Sequence, residues 1–246
     1  MRHPLLTDIP NIPVVLDGVP RARLQAMRAA AERVQQAEQQ LRDEGSNVVG
    51  EMLKGSREFY QWDHYPSGDV YDWDTHAQFY YHAHPPDRRG NDWADEHGHF
   101  HTFLRPKGFP DGVELPSGSD PDANNAVSHI IAISMDVTGQ AQRLFTTNRW
   151  VTGETWYPAT DVKRMLGNFC VTHDAPSAAV NVWITSVLDL FGPTIEALLD
   201  ARDVTVAAGN GDDVQNDHSL EVTSVADISV SETLAALDAA LDAALA

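Results

Sequence analysis

The chain has 246 residues, 42% of them hydrophobic, and carries 36 acidic against 17 basic side chains for a formal net charge of −19. That length can bury a core without staples, and that apolar content excludes a disordered chain. So acidic a surface repels phosphate backbones and anionic membranes, which sets nucleic-acid binding aside, and the single Cys170 excludes an internal disulfide and a Cys-rich zinc site.

The first apolar run is broken by Asp8 and Pro10, unlike a signal peptide. Residues 20–44 then read as a helix. Pro20 suits its first turn, Leu24, Met27, Ala31, Val34 and Leu41 recur at helical spacing, and Gly45 suits its end. A short helix is expected over 47–54. From about 58 to 157 the period drops to two, which predicts strands at 76–84, 96–104, 128–136, 141–149 and 154–157 in an antiparallel meander. The stretch 106–125, rich in Pro, Gly, Ser and Asp, reads as a long loop. Helices return at 161–168, 176–191 and 193–202, followed by a strand at 203–207 and a last helix from Ser231. Asn181, Thr185, Ser186 and Asp189 interrupt the most apolar of these, so no membrane insertion is expected and a cytoplasmic protein is the default.

The charge is uneven. Acids and bases cancel over 1–50, acids lead ten to four over 51–100, and 203–246 holds nine acids and no base. These shifts divide the chain into an N-terminal helical segment (1–57), a His-rich core domain (58–202) and an acidic appendage (203–246) ending in a short helix that suits a protein partner or a second copy.

One constellation stands out. Six of the eleven histidines lie between positions 76 and 101. His76, Gln78, Tyr80, His82 and His84 occur at every second residue, as do His97, His99 and His101. Alternate side chains of a strand share a face, so each series forms one polar row. The opposite rows, Ala77, Phe79, Tyr81, Ala83 and Gly98, Phe100, Thr102, Leu104, suit a packed core. Folding the runs together with His84 against His97 sets His82 beside His99 and Tyr80 beside His101. Cross-strand Cβ atoms then stand roughly 5 Å apart, close enough for imidazoles to converge on one ion.

A divalent transition metal resolves what so many imidazoles otherwise face: unsatisfied ring nitrogens, and mutual repulsion once protonated. Iron is favoured, and zinc, copper, manganese and nickel fit the same donors; six histidines also allow two ions or a haem. Glu96 points to the opposite face of a regular strand and reaches the row only through a bulge. Asp72, Asp74 and Asp95 are nearby carboxylates that suit ligation or support of a ligand. Tyr80 within the row suits proton donation, and Arg105, directly after the second strand, suits a carboxylate. His129, Asn148, Arg149 and Trp150 are candidates for the rim.

The H-x-H pairs on antiparallel strands partly resemble those of the cupins. Cupins, however, place a glutamate four or five residues later, where this chain has Pro85-Pro86 or Phe100-His101-Thr102-Phe103. A closer resemblance covers most of 60–203. The segments Glu96-His-Gly-His-Phe-His-Thr-Phe-Leu-Arg-Pro106 and Leu144-Phe-Thr-Thr-Asn-Arg-Trp-Val-Thr152 resemble those of a bacterial family of unknown function. That resemblance implies a shared His-bearing site and brings no activity with it.

The expectation is therefore an α+β fold, an antiparallel curled sheet (a meander or half-barrel) packed by helices from both ends of the chain. Its His face binds metal through His76, His82, His84, His97, His99 and His101, with Tyr80 and Arg105 as catalytic candidates. A mononuclear non-haem oxidoreductase acting on a small molecule leads. The alternatives are a zinc hydrolase, a metal or haem carrier, and an accessory subunit.

Overall fold

Pro20 precedes α1 (Arg21–Asp43), whose Leu24, Met27, Ala31, Val34 and Leu41 are buried along one stripe. Arg42 in the last turn suits the helix dipole, and Gly45 leaves the helix at φ 75°. Asn47 caps α2 (Val48–Leu53), its side chain accepting from the Gly50 N–H at 2.8 Å. The computed structural model describes residues 9–83, 85, 93, 95–117, 125–209 and 213–243.

Six strands follow in chain order: β1 (Tyr65–Tyr71), β2 (Ala77–His82), β3 (Glu96–Leu104), β4 (Ser128–Asp136), β5 (Ala141–Thr147) and β6 (Val222–Asp227). Each pairs antiparallel with the next, giving an open meander in the order β1-β2-β3-β4-β5-β6. The helices α3 (Arg149–Thr152), α4 (Ala159–Leu166), α5 (Ala178–Leu190) and α6 (Gly192–Ala208) lie between β5 and β6, and α7 (Val230–Ala243) ends the described chain. This is the expected α+β class, with helices from both ends of the chain packed on the sheet.

The two faces of the sheet differ. Phe79, Tyr81, Phe100, Ile131, Ile133, Met135 and Leu144 face the helices and join Met27, Val34, Trp183, Val187 and Leu198 in the main core. Burying such side chains is worth about 1.5–3 kcal/mol each. The other face holds a small apolar cluster of Trp93, Ala132, Phe145 and Val222, with Ile9 and Val225 against it. His82, His99 and His101 stand on this second face.

Three expectations change. β1 forms where no strand was read, residues 154–157 are irregular, and 203–207 continue α6 rather than forming a strand. The acidic C-terminal stretch is built into the fold rather than appended to it. β6 pairs with β5, Phe145 facing Val225. Helix α7 lies on α1, where Arg28 Nε reaches Asp238 Oδ1 at 2.6 Å, and its Leu237 is fully buried. Among the described residues no single helix is long and apolar enough to cross a membrane; α5 and α6 pass that test only as a pair bent by 69°.

Candidate metal centre

β2 and β3 align with His82 opposite His99 and Tyr80 opposite His101, the register expected from matching the histidine rows. The three rings of His82, His99 and His101 stand edge to face. Their centroids are 4.4 Å apart for His82–His99, 5.3 Å for His82–His101 and 4.7 Å for His99–His101, with interplanar angles of 67–83°. One ligand nitrogen from each lies within 4.8 Å of the others. Two imidazole nitrogens on a single tetrahedral ion stand roughly 3–3.5 Å apart, so the trio is within side-chain adjustment of one ion.

The start of β3 is bulged. The β3–β4 register shifts between Glu96 and Gly98, and the extra residue re-aims both neighbours. Glu96 turns onto the histidine face, where its Oε1 accepts from His99 Nδ1 at 2.9 Å with both side chains buried. His97 turns to the other face, its Nδ1 2.6 Å from the Tyr81 hydroxyl and its ring stacked between Tyr81 and Phe59. Burial pushes the pKa of His97 down.

His101 is anchored in the same way from β4. Its Nδ1 lies 3.0 Å from His129 Nε2, and His129 Nδ1 lies 3.4 Å from Thr147 Oγ1. His99 donates Nδ1–H to the Glu96 carboxylate, which leaves its Nε2 lone pair for a metal, and the same tautomer of His101 has its Nδ1–H donating to His129 Nε2. Such outer partners are the usual support of ligating imidazoles. Burial, with Arg202 adding to it, pushes the pKa of His129 down to about 3, which keeps it neutral. Its backbone N–H donates to Glu154 Oε2 at 2.7 Å. Burial pushes Glu154 up to about 7 against the pull of Arg202 and of that N–H.

The remaining walls are mixed. Phe145 lies 5.3 Å from His99, and Trp93 stands edge-on to Phe145 at 5.1 Å. Ser134, opposite His99 on β4, is fully buried, and its Oγ has no hydrogen-bond partner. A buried hydroxyl of that kind is completed by a water or an exogenous ligand. The donor set and these surroundings fit a metal ion.

The other expected residues are dispersed. Tyr80 borders the triad, 5.3 Å from His101 and 5.7 Å from His82, and its pKa is raised by burial and by Asp69. Arg105 lies further along the same row, its Nε donating to Gln78 Oε1 at 2.5 Å. His76 stands beyond the other end of β2, at φ 62°, with Nδ1 2.5 Å from the Tyr71 hydroxyl; it is not brought to the triad. His84 lies outside the described residues. Asp72 accepts from the N–H groups of Asp74, Thr75 and Thr172, which hold its carboxyl well below the usual range and commit it structurally. Asp95 pairs with Arg143 at 3.2 Å. Asn148 caps α3, Arg149 bonds Asn216, and Trp150 Nε1 donates to Leu220 O, so this rim holds the loop before β6. Glu154 and His64 carry no motif, and only the tertiary fold brings them near the histidines.

Residues 28–228 match the family model of a domain of unknown function, DUF6969. No curated protein and no solved structure matches the chain.

Proposed function

We propose, for a chain that belongs to this family of domains of unknown function, that the histidine face is the mononuclear metal centre of an enzyme acting on a small molecule. The anchored imidazoles carry this reading. His99 and His101 are buried, each has its Nδ1 held by a partner, and with His82 they form a three-nitrogen set. A bare His-rich surface needs no such anchoring.

The same features support a non-haem, iron-type oxidoreductase. The set contains no thiolate, which disfavours copper(I), and three neutral ligands leave the ion its charge and at least one further position. A bound ion would supply Lewis acidity there and, as iron, one-electron chemistry. Phe145 and Trp93 exclude water from one side, Tyr80 would donate a hydrogen bond to a substrate oxygen, and Arg105 would hold the row in place through Gln78.

Elemental analysis of protein purified without a His-tag tests the proposal. About one equivalent of a transition metal is expected. His82→Ala, His99→Ala and His101→Ala should each lower its retention, whereas His97→Ala and His76→Ala should keep it. Less than about one-tenth equivalent, with none taken up on reconstitution, overturns the metal reading. Retention of zinc alone, with iron(II) refused, replaces the oxidoreductase by a hydrolase.

A further inference from the structure

His64 lies outside both histidine rows, in the turn before β1, and the fold brings it over the site. Its ring stacks on Tyr80 with centroids 3.6 Å apart and planes within 9°, and lies 6.1 Å from the ring of His82. Its Nδ1 is 2.9 Å from Asp69 Oδ1. Asp69 is itself held: Oδ2 accepts from Gln78 Nε2 at 2.6 Å, and Gln78 is bonded in turn by Arg105. The imidazole is 44% exposed and the carboxylate only 15%, so a fixed acid stands behind an accessible base.

These two residues line an open cleft of about 830 Å³, together with Arg57, Glu58, Tyr60 and Tyr65. That volume lies within the ~300–1,000 Å³ typical of small-molecule sites. The cleft meets the histidine face at His64, whose ring stacks on Tyr80 and stands beside His82.

We infer that this cleft is the substrate side of the metal centre, that His64 is a further catalytic residue, and that the substrate presents a protic hydroxyl group. The inference rests on the metal reading above. As the substrate hydroxyl binds, its O–H bond breaks and the proton passes to Nε2 of His64. The electron pair stays on the substrate oxygen, and the Asp69 carboxylate, accepting from Nδ1–H, stabilises the imidazolium. Glu58, Asp63 and Asp69 against the one Arg57 favour a neutral or cationic hydroxylated molecule over an anionic one.

Cobalt(II)-loaded protein tests this without a known substrate, since the visible spectrum of the ion reports what binds to it. Two probes separate the roles: acetohydroxamic acid must lose its hydroxyl proton to chelate, whereas azide arrives already as an anion. At pH 7, His64→Gln and Asp69→Asn should each weaken hydroxamate binding by about tenfold or more, the loss expected for one charge-assisted hydrogen bond. Cobalt affinity and azide binding should stay within about twofold of wild type. Unchanged hydroxamate binding overturns the inference. So does an equal loss for azide, which makes His64 a wall of the entrance only. Failure of the wild-type protein to take up cobalt overturns the metal reading itself, and is a different result from either.

Discussion

Glu154 is a carboxyl enclosed by protein, with Oε2 on the backbone N–H of His129 and Oε1 buried without a partner. Burial raises its pKa from 4.5 to about 7. Because the folded value exceeds the unfolded one, its contribution to stability is full below about pH 4.5 and is lost as pH rises through about 7. Glu154→Gln keeps an oxygen for the His129 N–H and removes the charge. The variant should match wild type near pH 4.5 and exceed it at pH 8, by on the order of 3 kcal/mol. Urea denaturation at the two pH values checks this, and a difference that does not change with pH contradicts it. Glu154 was not legible in the sequence, because its environment is made by His129 and Arg202, which are distant along the chain. His82, His99, His101 and Tyr80 were legible, because strand alternation alone puts them on one face. His97 follows the same alternation in sequence but leaves the face in the structure. Alternation assumes an unbroken ladder, and the bulge after Glu96 breaks it.

That bulge depends on an element-level constraint at Gly98. A Cβ there would stand 2.3 Å from the Tyr81 hydroxyl and 2.5 Å from the His82 carbonyl oxygen. The close approach lets Tyr81 reach His97 and keeps β2 tight against β3 beside the triad. Gly98→Ala should therefore destabilise the fold by about 1–3 kcal/mol, as overpacking does. A chemical-denaturation midpoint unchanged from wild type contradicts that account. At this scale much of the sheet could be read in advance. β3 and β4 span the residues read for them, 96–104 and 128–136: histidine recurs at every second residue in β3, and β4 carries the buried run Ile130-Ile131-Ala132-Ile133. β1 could not be read: Tyr-Pro-Ser-Gly-Asp-Val-Tyr places Pro66, Gly68 and Asp69 inside the strand, and its register with β2 is itself irregular. That irregular edge strand is also where Asp69 turns at φ 62° to meet His64.

Across the whole molecule, one sheet serves two purposes. Its inner face closes the core against the helices, and its outer face gathers histidines over a small apolar patch. The acidic excess is divided likewise. In 203–246 it decorates a strand and a helix that complete the fold, a role that charge composition could not reveal. In 51–100, Glu58, Asp63 and Asp69 line the cleft and Glu96 stands on His99, where they favour a cation and where a bound ion would offset part of the −19. The central claim is that His82, His99 and His101 hold one metal ion. Anomalous diffraction from crystals of the purified protein, recorded on either side of the absorption edge of the metal found, tests it most directly. The account predicts one peak, about 2.0–2.2 Å from Nε2 of His99, Nε2 of His101 and a ring nitrogen of His82. A metal peak placed instead at His76 or His97, or a well-ordered triad with no peak, would contradict it.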